Sequence, residues 1–143
     1  MARPPRPMMN QDSSFFWEGV EKHELRIQRC VGCKRLRHPP RPMCPACTSL
    51  DWDSIVASGQ GEIYSYVVHH HPPVYGFEAP FAVALVELPE GTRIVGNVSG
   101  DPKALYVGMP VEVEFVHVDD TWTLPAWRPE GDPRVSAAGE GKA

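Results

Sequence analysis

Apolar and polar positions alternate most clearly near the end of the chain, where Val111, Val113 and Phe115 interleave with Glu112 and Glu114. A period of two marks a half-buried strand, so Val111–Val118 is predicted as one, entered through a Val107–Pro110 turn. Upstream, the glycine-bounded Gly59–Gly61 breaks the chain before Glu62–His69, a Tyr- and Val-rich strand. Phe81–Leu88 is apolar on both faces, Pro89–Thr92 is a turn, and Arg93–Val98 returns as the hairpin partner. Asp119–Thr121 turns the chain again into Trp122–Trp127, where Pro125 predicts an edge or bulged strand because it has no N–H to donate. Before these strands the pattern is helical and short. Asp12 or Ser13 is placed to cap a helix running to about His23, with Phe16 and Val20 on one face and Trp17 three residues from Val20. Leu25–Arg29 then reads as a strand, and His38–Pro42 as extended chain, as its prolines require.

Five short strands within about 75 residues suit a small closed or partly open barrel, for which the OB-fold is the natural candidate. The expected fold class is therefore mainly β: a short helix, a small cysteine-bearing ribbon, then a five-stranded OB-fold barrel. The 16 prolines among 143 residues argue against long helices. No apolar run approaches the roughly 18–20 residues of a membrane span, and there is no signal-peptide stretch, so a cytoplasmic protein is expected. The expected divisions are a flexible start with the aromatic helix (1–24), the ribbon (25–54), the barrel (55–129) and a disordered tail (130–143).

Charge divides the chain. Residues 1–50 carry nine bases against four acids, and residues 51–143 five bases against fourteen acids. The basic half either faces an anionic partner or attracts the acidic half. All four cysteines lie in it: Cys30, Cys33, Cys44 and Cys47, two C-x2-C pairs with ten residues between. Each pair aims two sulfurs at one ion, and two pairs complete the tetrahedral four-thiolate shell that Zn2+ favours, with a rubredoxin-like iron site as the rival. Four thiolates leave no open coordination position, so the metal's role is structural. Around it stand Arg29, Lys34, Arg35, Arg37 and Arg41, with no acid between residues 29 and 41. They are the candidate residues for binding phosphates or a partner protein. Phe15, Phe16 and Trp17 are much aromatic surface for a short helix, and either pack on their own domain or dock a partner.

Catalytic signatures are missing: no G-x-S-x-G elbow, no phosphate-cradling glycine loop and no spare cysteine nucleophile. His69, His70 and His71 are consecutive, so their side chains alternate faces. They read as a strand end leading into a loop, His71–Pro80, rather than as a metal triad. Asp119 and Asp120 read as turn residues. Single-stranded nucleic acid is the alternative partner for an OB-like barrel with a basic ribbon, since Tyr64 and Tyr66 offer stacking platforms. The acidic barrel half argues against it.

Taken together, FFWEGVEKHEL, LRIQRCVGCKRLRHPPRPMCPACTS, SGQGEIYSYVV, PFAVALVELPEGTRIVGNV, VGMPVEVEF and LPAWRP resemble, over roughly residues 13–129, an acyl-CoA-associated family. That family joins a rubredoxin-like zinc ribbon to an OB-fold and was formerly a domain of unknown function. The resemblance implies an accessory subunit with no catalytic residues of its own. Its partners would be lipid-transfer-protein-type thiolases or aldolases in a hetero-oligomer, or MaoC-type enoyl-CoA hydratases. In steroid side-chain catabolism, cholesterol included, such a domain supports enoyl-CoA hydration and the following retro-aldol cleavage. The expected function is to bind and activate such a lyase and to help hold its acyl-CoA, with the basic ribbon on the phosphates and a barrel groove or the His71–Pro80 loop guiding the pantetheine arm. The proline-rich start fits either a native terminus or the cut end of a larger fusion.

Overall fold

A computed structural model describes residues 3–131. The first element is the helix α1 (Ser14–Glu21), whose apolar face buries Phe16 and Val20. Ser13 occupies the N-cap position but does not cap with its side chain. Asn10 does the local bonding instead: its Oδ1 accepts from the N–H groups of Asp12 and Ser13, while the Ser13 hydroxyl accepts from the Asn10 N–H. The helix stops at Glu21, short of His23, because His23 adopts a left-handed φ of 58°. There the N–H groups of Lys22, His23 and Glu24 close back on the carbonyls of Gly19 and Val20.

The ribbon is a three-stranded sheet in the order β2-β1-β3, built from β1 (Arg26–Cys30), β2 (Leu36–Arg37) and β3 (Trp52–Val56). β1 pairs along its whole length with β3, from Arg26 opposite Val56 to Cys30 opposite Trp52. Neither β2 nor β3 is legible in the sequence. A two-residue strand has no period, and β3 alternates only between half-buried and exposed positions. Both owe their strand conformation to pairing with β1, a tertiary effect that outweighs local preference.

The barrel holds β4 (Gln60–His69), β5 (Phe81–Glu87), β6 (Arg93–Val98), β7 (Pro110–Asp119) and β8 (Trp122–Pro129). It closes in the order β4-β5-β6-β8-β7, with β7 returning to β4 through Gln60–Glu62. This is the five-stranded OB-fold expected from the sequence. The interior is filled by inward residues of every strand, including Ile63, Ala82, Ala84, Val86, Ile94, Val111 and Trp127. Gly96 is required by that packing, since a Cβ there would lie 2.9 Å from Trp127 Cδ1. The closure is uneven. β7 and β8 pair at eight positions, whereas β6 and β8 run parallel with one registered pair, Val98 and Trp127.

Helix and ribbon join the barrel through one continuous core, in which Phe16, Val20, Leu25 and Ile27 pack with the barrel's apolar interior. Two polar contacts fasten α1 and the turn after it to the barrel: Glu21 Oε1 accepts from the Thr123 N–H at 2.9 Å, and the Nε2 atoms of His23 and His117 lie 3.1 Å apart. Residues 3–9 form an arm that touches the loop between β4 and β5, where Gly76 approaches Arg3 and Pro4, and the β7–β8 turn, where Arg3 pairs with Asp119 at 3.4 Å. Most of the tail expected over 130–143 lies outside the described residues. No helix among the described residues is long and apolar enough to cross a membrane.

Candidate metal centre and its basic surround

Two backbone turns of the same design carry the four sulfurs. In the first, the Lys34 N–H reaches the Cys30 carbonyl (3.0 Å) and the Cys30 N–H reaches the Arg35 carbonyl (2.9 Å). In the second, Thr48 bonds Cys44 (2.9 Å) and Cys44 bonds Ser49 (2.9 Å) at the same offsets. Lys34 and Thr48 each take φ of 64°, the left-handed conformation that reverses the chain after the second cysteine of each pair. The β1 end supplies Cys30, so one turn is anchored in the sheet.

The resulting geometry fits a tetrahedral ion. The sulfurs of Cys30 and Cys47 are 3.4 Å apart and those of Cys33 and Cys44 3.7 Å, all four lying within 4.8 Å of one another. A Zn–S bond of about 2.3 Å places tetrahedral ligands about 3.8 Å apart. Without a cation the four thiols compete for charge. The N–H of Cys33 foremost draws Cys30 down to about 6, and the N–H groups of Cys47 and Ala46 draw Cys44 below its ordinary value. On Cys47 the Ser49 N–H pulls the same way, but the neighbouring sulfurs and burial outweigh it and push the thiol up to about 11. A divalent cation removes that conflict, since every ligand then binds as thiolate. Cys30 and Cys44 are buried and Cys33 and Cys47 exposed, and the shell is closed to further ligands. The site is that of a structural zinc ribbon.

The five basic candidates do not share one surface. Arg29 forms a bidentate pair with Asp53 (2.8 and 2.7 Å), which holds the Asp53 carboxyl below its ordinary value. Arg37 is buried, 8 % exposed; its Nη2 donates to the Arg41 carbonyl at 3.0 Å, and its Nε and Nη1 are buried without partners. Lys34, Arg35 and Arg41 are exposed and make no ion pair among the described residues. A basic run reads the same by charge whichever way its side chains point, which is why the sequence did not separate these roles.

One residue that the sequence left unmarked organises this region. Gln28 is fully buried and clamps the Arg41 peptide, donating from Nε2 to its carbonyl (3.0 Å) and accepting at Oε1 from its N–H (2.9 Å). That clamp ties the segment between the two turns to β1. The helix aromatics also part company. Phe16 is core, edge-on to Trp17 and 5.2 Å from the His38 ring; Phe15 packs on Trp52 at 4.9 Å; Trp17 stays half-buried. His69 bonds the Pro72 carbonyl at 2.6 Å and packs on Phe81, as a strand-end residue does. Asp119 accepts from the Thr121 N–H and hydroxyl, a turn role. Tyr66 donates to the Leu105 carbonyl, and Tyr64 lies under Arg93 at 3.7 Å, so both rings are engaged.

A four-thiolate ribbon continuous with an OB-fold barrel defines a two-module class of protein. Family models match on both modules: the ChsH2 rubredoxin-like zinc ribbon domain over residues 17–53 and the ChsH2 C-terminal OB-fold domain over residues 55–116. The chain is 38 % identical to a DUF35 domain-containing scaffold protein of Methanocaldococcus jannaschii, over 73 % of this chain and 77 % of that one. It is 46 % identical to the 3-oxo-4,17-pregnadiene-20-carboxyl-CoA hydratase alpha subunit of Mycobacterium tuberculosis, over 87 % of this chain but 40 % of that subunit. Against the first curated relatives it matches, the chain therefore spans about two fifths of their length. Among solved structures it matches a chain of an Ltp2-ChsH2(DUF35) aldolase with a TM-score of 0.82 and 51 % identity, covering 87 % of this chain and 98 % of that one. The chain belongs to the ChsH2 (DUF35) family.

Proposed function

We propose that this chain is a non-catalytic accessory subunit that binds and activates a thiolase-superfamily acyl-CoA enzyme, a steroid side-chain retro-aldolase of the Ltp2 type. The observation that carries this is the 51 % identity over nearly the whole of the ChsH2 chain in an aldolase complex. The chemistry of the chain supports it. The metal shell is closed, so the ion has no position for substrate. Chemistry then falls to the partner, and this subunit contributes surface. Exposed Lys34, Arg35 and Arg41 supply the cationic part of that surface and suit the phosphates of CoA. Buried Arg37 and paired Arg29 support the position of that face rather than forming it.

The hydratase relatives favour a second setting for the same domain, in which it serves a MaoC-type enoyl-CoA hydratase in the same assembly. The test is a mild affinity purification of the chain from its host, with mass spectrometry of the associated proteins and an assay of the recovered complex for retro-aldol cleavage of a steroid side-chain acyl-CoA. A thiolase-like chain at fixed stoichiometry, inactive alone and active with this subunit, is the expected result. Turnover of acyl-CoA by the isolated chain, or full activity of the thiolase without it, would overturn the proposal.

A further inference from the structure

The two cysteine turns match position for position, Cys30, Val31, Gly32, Cys33 against Cys44, Pro45, Ala46, Cys47. Their backbone bonds match as well: Lys34 to Cys30 and Cys30 to Arg35 in the first, Thr48 to Cys44 and Cys44 to Ser49 in the second. The Gly32 N–H points at the Cys30 sulfur as the Ala46 N–H points at that of Cys44. The turns differ in one methyl group. A Cβ on Gly32 would lie 3.5 Å from the Cys47 sulfur and 3.6 Å from the Cys30 sulfur, ordinary van der Waals contacts. Gly32 does not take a left-handed φ, so neither its backbone nor the space around it calls for glycine. By the same turn geometry the Ala46 methyl lies over Cys33 and Cys44. One pair of sulfurs is capped, and the other is bare.

The bare pair is also the closer one. The sulfurs of Cys30 and Cys47 are 3.4 Å apart, against 3.7 Å for Cys33 and Cys44. Each pair joins one turn to the other and a buried sulfur to an exposed one. Gly32 and Cys47 are both exposed, so a small solute reaches the Cys47 sulfur from water. Oxidation of cysteine follows thiolate character and exposure, and Cys47 in the four-thiolate shell has both. The closed shell offers no position on the ion itself, so a reaction from this side falls on sulfur. A gap the size of one methyl group admits a peroxide and little that is larger.

We propose that Cys47 and Cys30 form an oxidative modification site, where a small uncharged hydroperoxide joins the two sulfurs in a disulfide and releases the metal. The Cys47 thiolate attacks one peroxide oxygen, the O–O bond breaks, and hydroxide leaves a sulfenic acid behind. The Cys30 thiolate then attacks that sulfur, the S–O bond breaks, and a second hydroxide departs. Two thiolates and one hydrogen peroxide thus give one disulfide and two hydroxide ions, with two electrons passing from sulfur to oxygen. Cys33 and Cys44 alone are too few to hold the ion, and the ribbon loses the part of its fold that the ligands make. The exposed face of Lys34, Arg35 and Arg41 is lost with it. A thiol reductant reverses the sulfur chemistry by exchange, and zinc then rebuilds the site. The proposal rests on the thiolate shell and is independent of which enzyme the chain serves.

The experiment treats the zinc-loaded full chain with hydrogen peroxide while a chromogenic chelator reads free zinc. Disulfides are mapped by mass spectrometry after the remaining thiols are blocked. The expected result is one zinc released for every two thiols lost, with Cys30 to Cys47 the first disulfide. Dithiothreitol and added zinc restore the bound metal. Gly32→Ala, which supplies the missing methyl, releases zinc about fivefold or more slowly at unchanged zinc affinity. Ala46→Gly uncovers the second pair, and a Cys33 to Cys44 disulfide then forms alongside the first. A first disulfide at any other pair, zinc loss without a disulfide, or Gly32→Ala oxidising as the parent does overturns the proposal. Retention of zinc under peroxide that fully oxidises glutathione overturns it too. If Gly32→Ala binds zinc less tightly, the parent's disulfide map and Ala46→Gly decide.

Discussion

Gln28 shows how much one buried amide decides. Its two bonds satisfy both backbone groups of Arg41, so the chain between the two cysteine turns is fixed without any secondary structure of its own. Gln28→Leu keeps the volume and strands those groups, at a cost of about 1–3 kcal/mol. The expected outcome is a lower melting temperature for the zinc-loaded protein and faster zinc loss to a chelator, both read on the same sample. His38 makes a second prediction at this scale. Burial lowers its pKa from 6.5 to about 4 in the folded protein. The unfolded chain therefore takes up a proton first as pH falls. Stability is complete above about pH 6.5 and declines progressively toward pH 4. His38→Gln removes that slope, and urea melts at pH 7 and pH 5 check it; an unchanged slope assigns the acid sensitivity to other groups.

Elements in this protein are specified by two unlike signals. The barrel strands are marked in the sequence by alternation in Val111–Val118 and by Tyr-, Val- and turn-bounded apolar runs elsewhere, and Arg93–Val98 is observed with the predicted bounds. The period in Val111–Val118 reflects one wet and one dry face, which is a local property of the strand. The ribbon depends on ligands instead. Its cysteine turns are legible because each spans four residues, whereas β2 and β3 exist only through β1 and the metal. Cys44→Ser is therefore expected to release the metal and unfold the ribbon while the barrel, whose interior is filled by residues of its own five strands, persists. Zinc stoichiometry together with amide exchange distinguishes the two modules; a variant that loses its metal yet keeps the ribbon's exchange protection contradicts a structural role.

At the scale of the whole molecule, charge and shape are sorted onto different surfaces. On the ribbon, Lys34, Arg35 and Arg41 are exposed and make no ion pair among the described residues, while the groove beside β6 is lined by no acid, lysine or arginine. Charge reversal at Arg35 and Arg41 is expected to raise the KM of the assembled complex for acyl-CoA by about tenfold or more, roughly 1.4 kcal/mol, with assembly intact. An unchanged KM removes the phosphate role, and loss of assembly would transfer these residues to the partner interface. Salt dependence of KM provides the independent readout, because exposed charges are screened.

What the sequence by itself determined was local: four thiols at metal spacing, the turn-bounded strands of the barrel, the turn at Asp119, and the family to which those motifs point. Each follows from residues within a few positions of one another, where backbone geometry leaves little choice. Tertiary structure decided the rest. It chose which arginines face water, since Arg37 and Arg41 differ in burial but not in charge. It recruited Gln28 as a clamp across 13 residues, and it brought β8 alongside β6 in parallel at Val98 and Trp127, the pairing that closes the barrel. Those outcomes depend on which distant segments meet. That is fixed only when the helix, the ribbon and the barrel bury their apolar faces together.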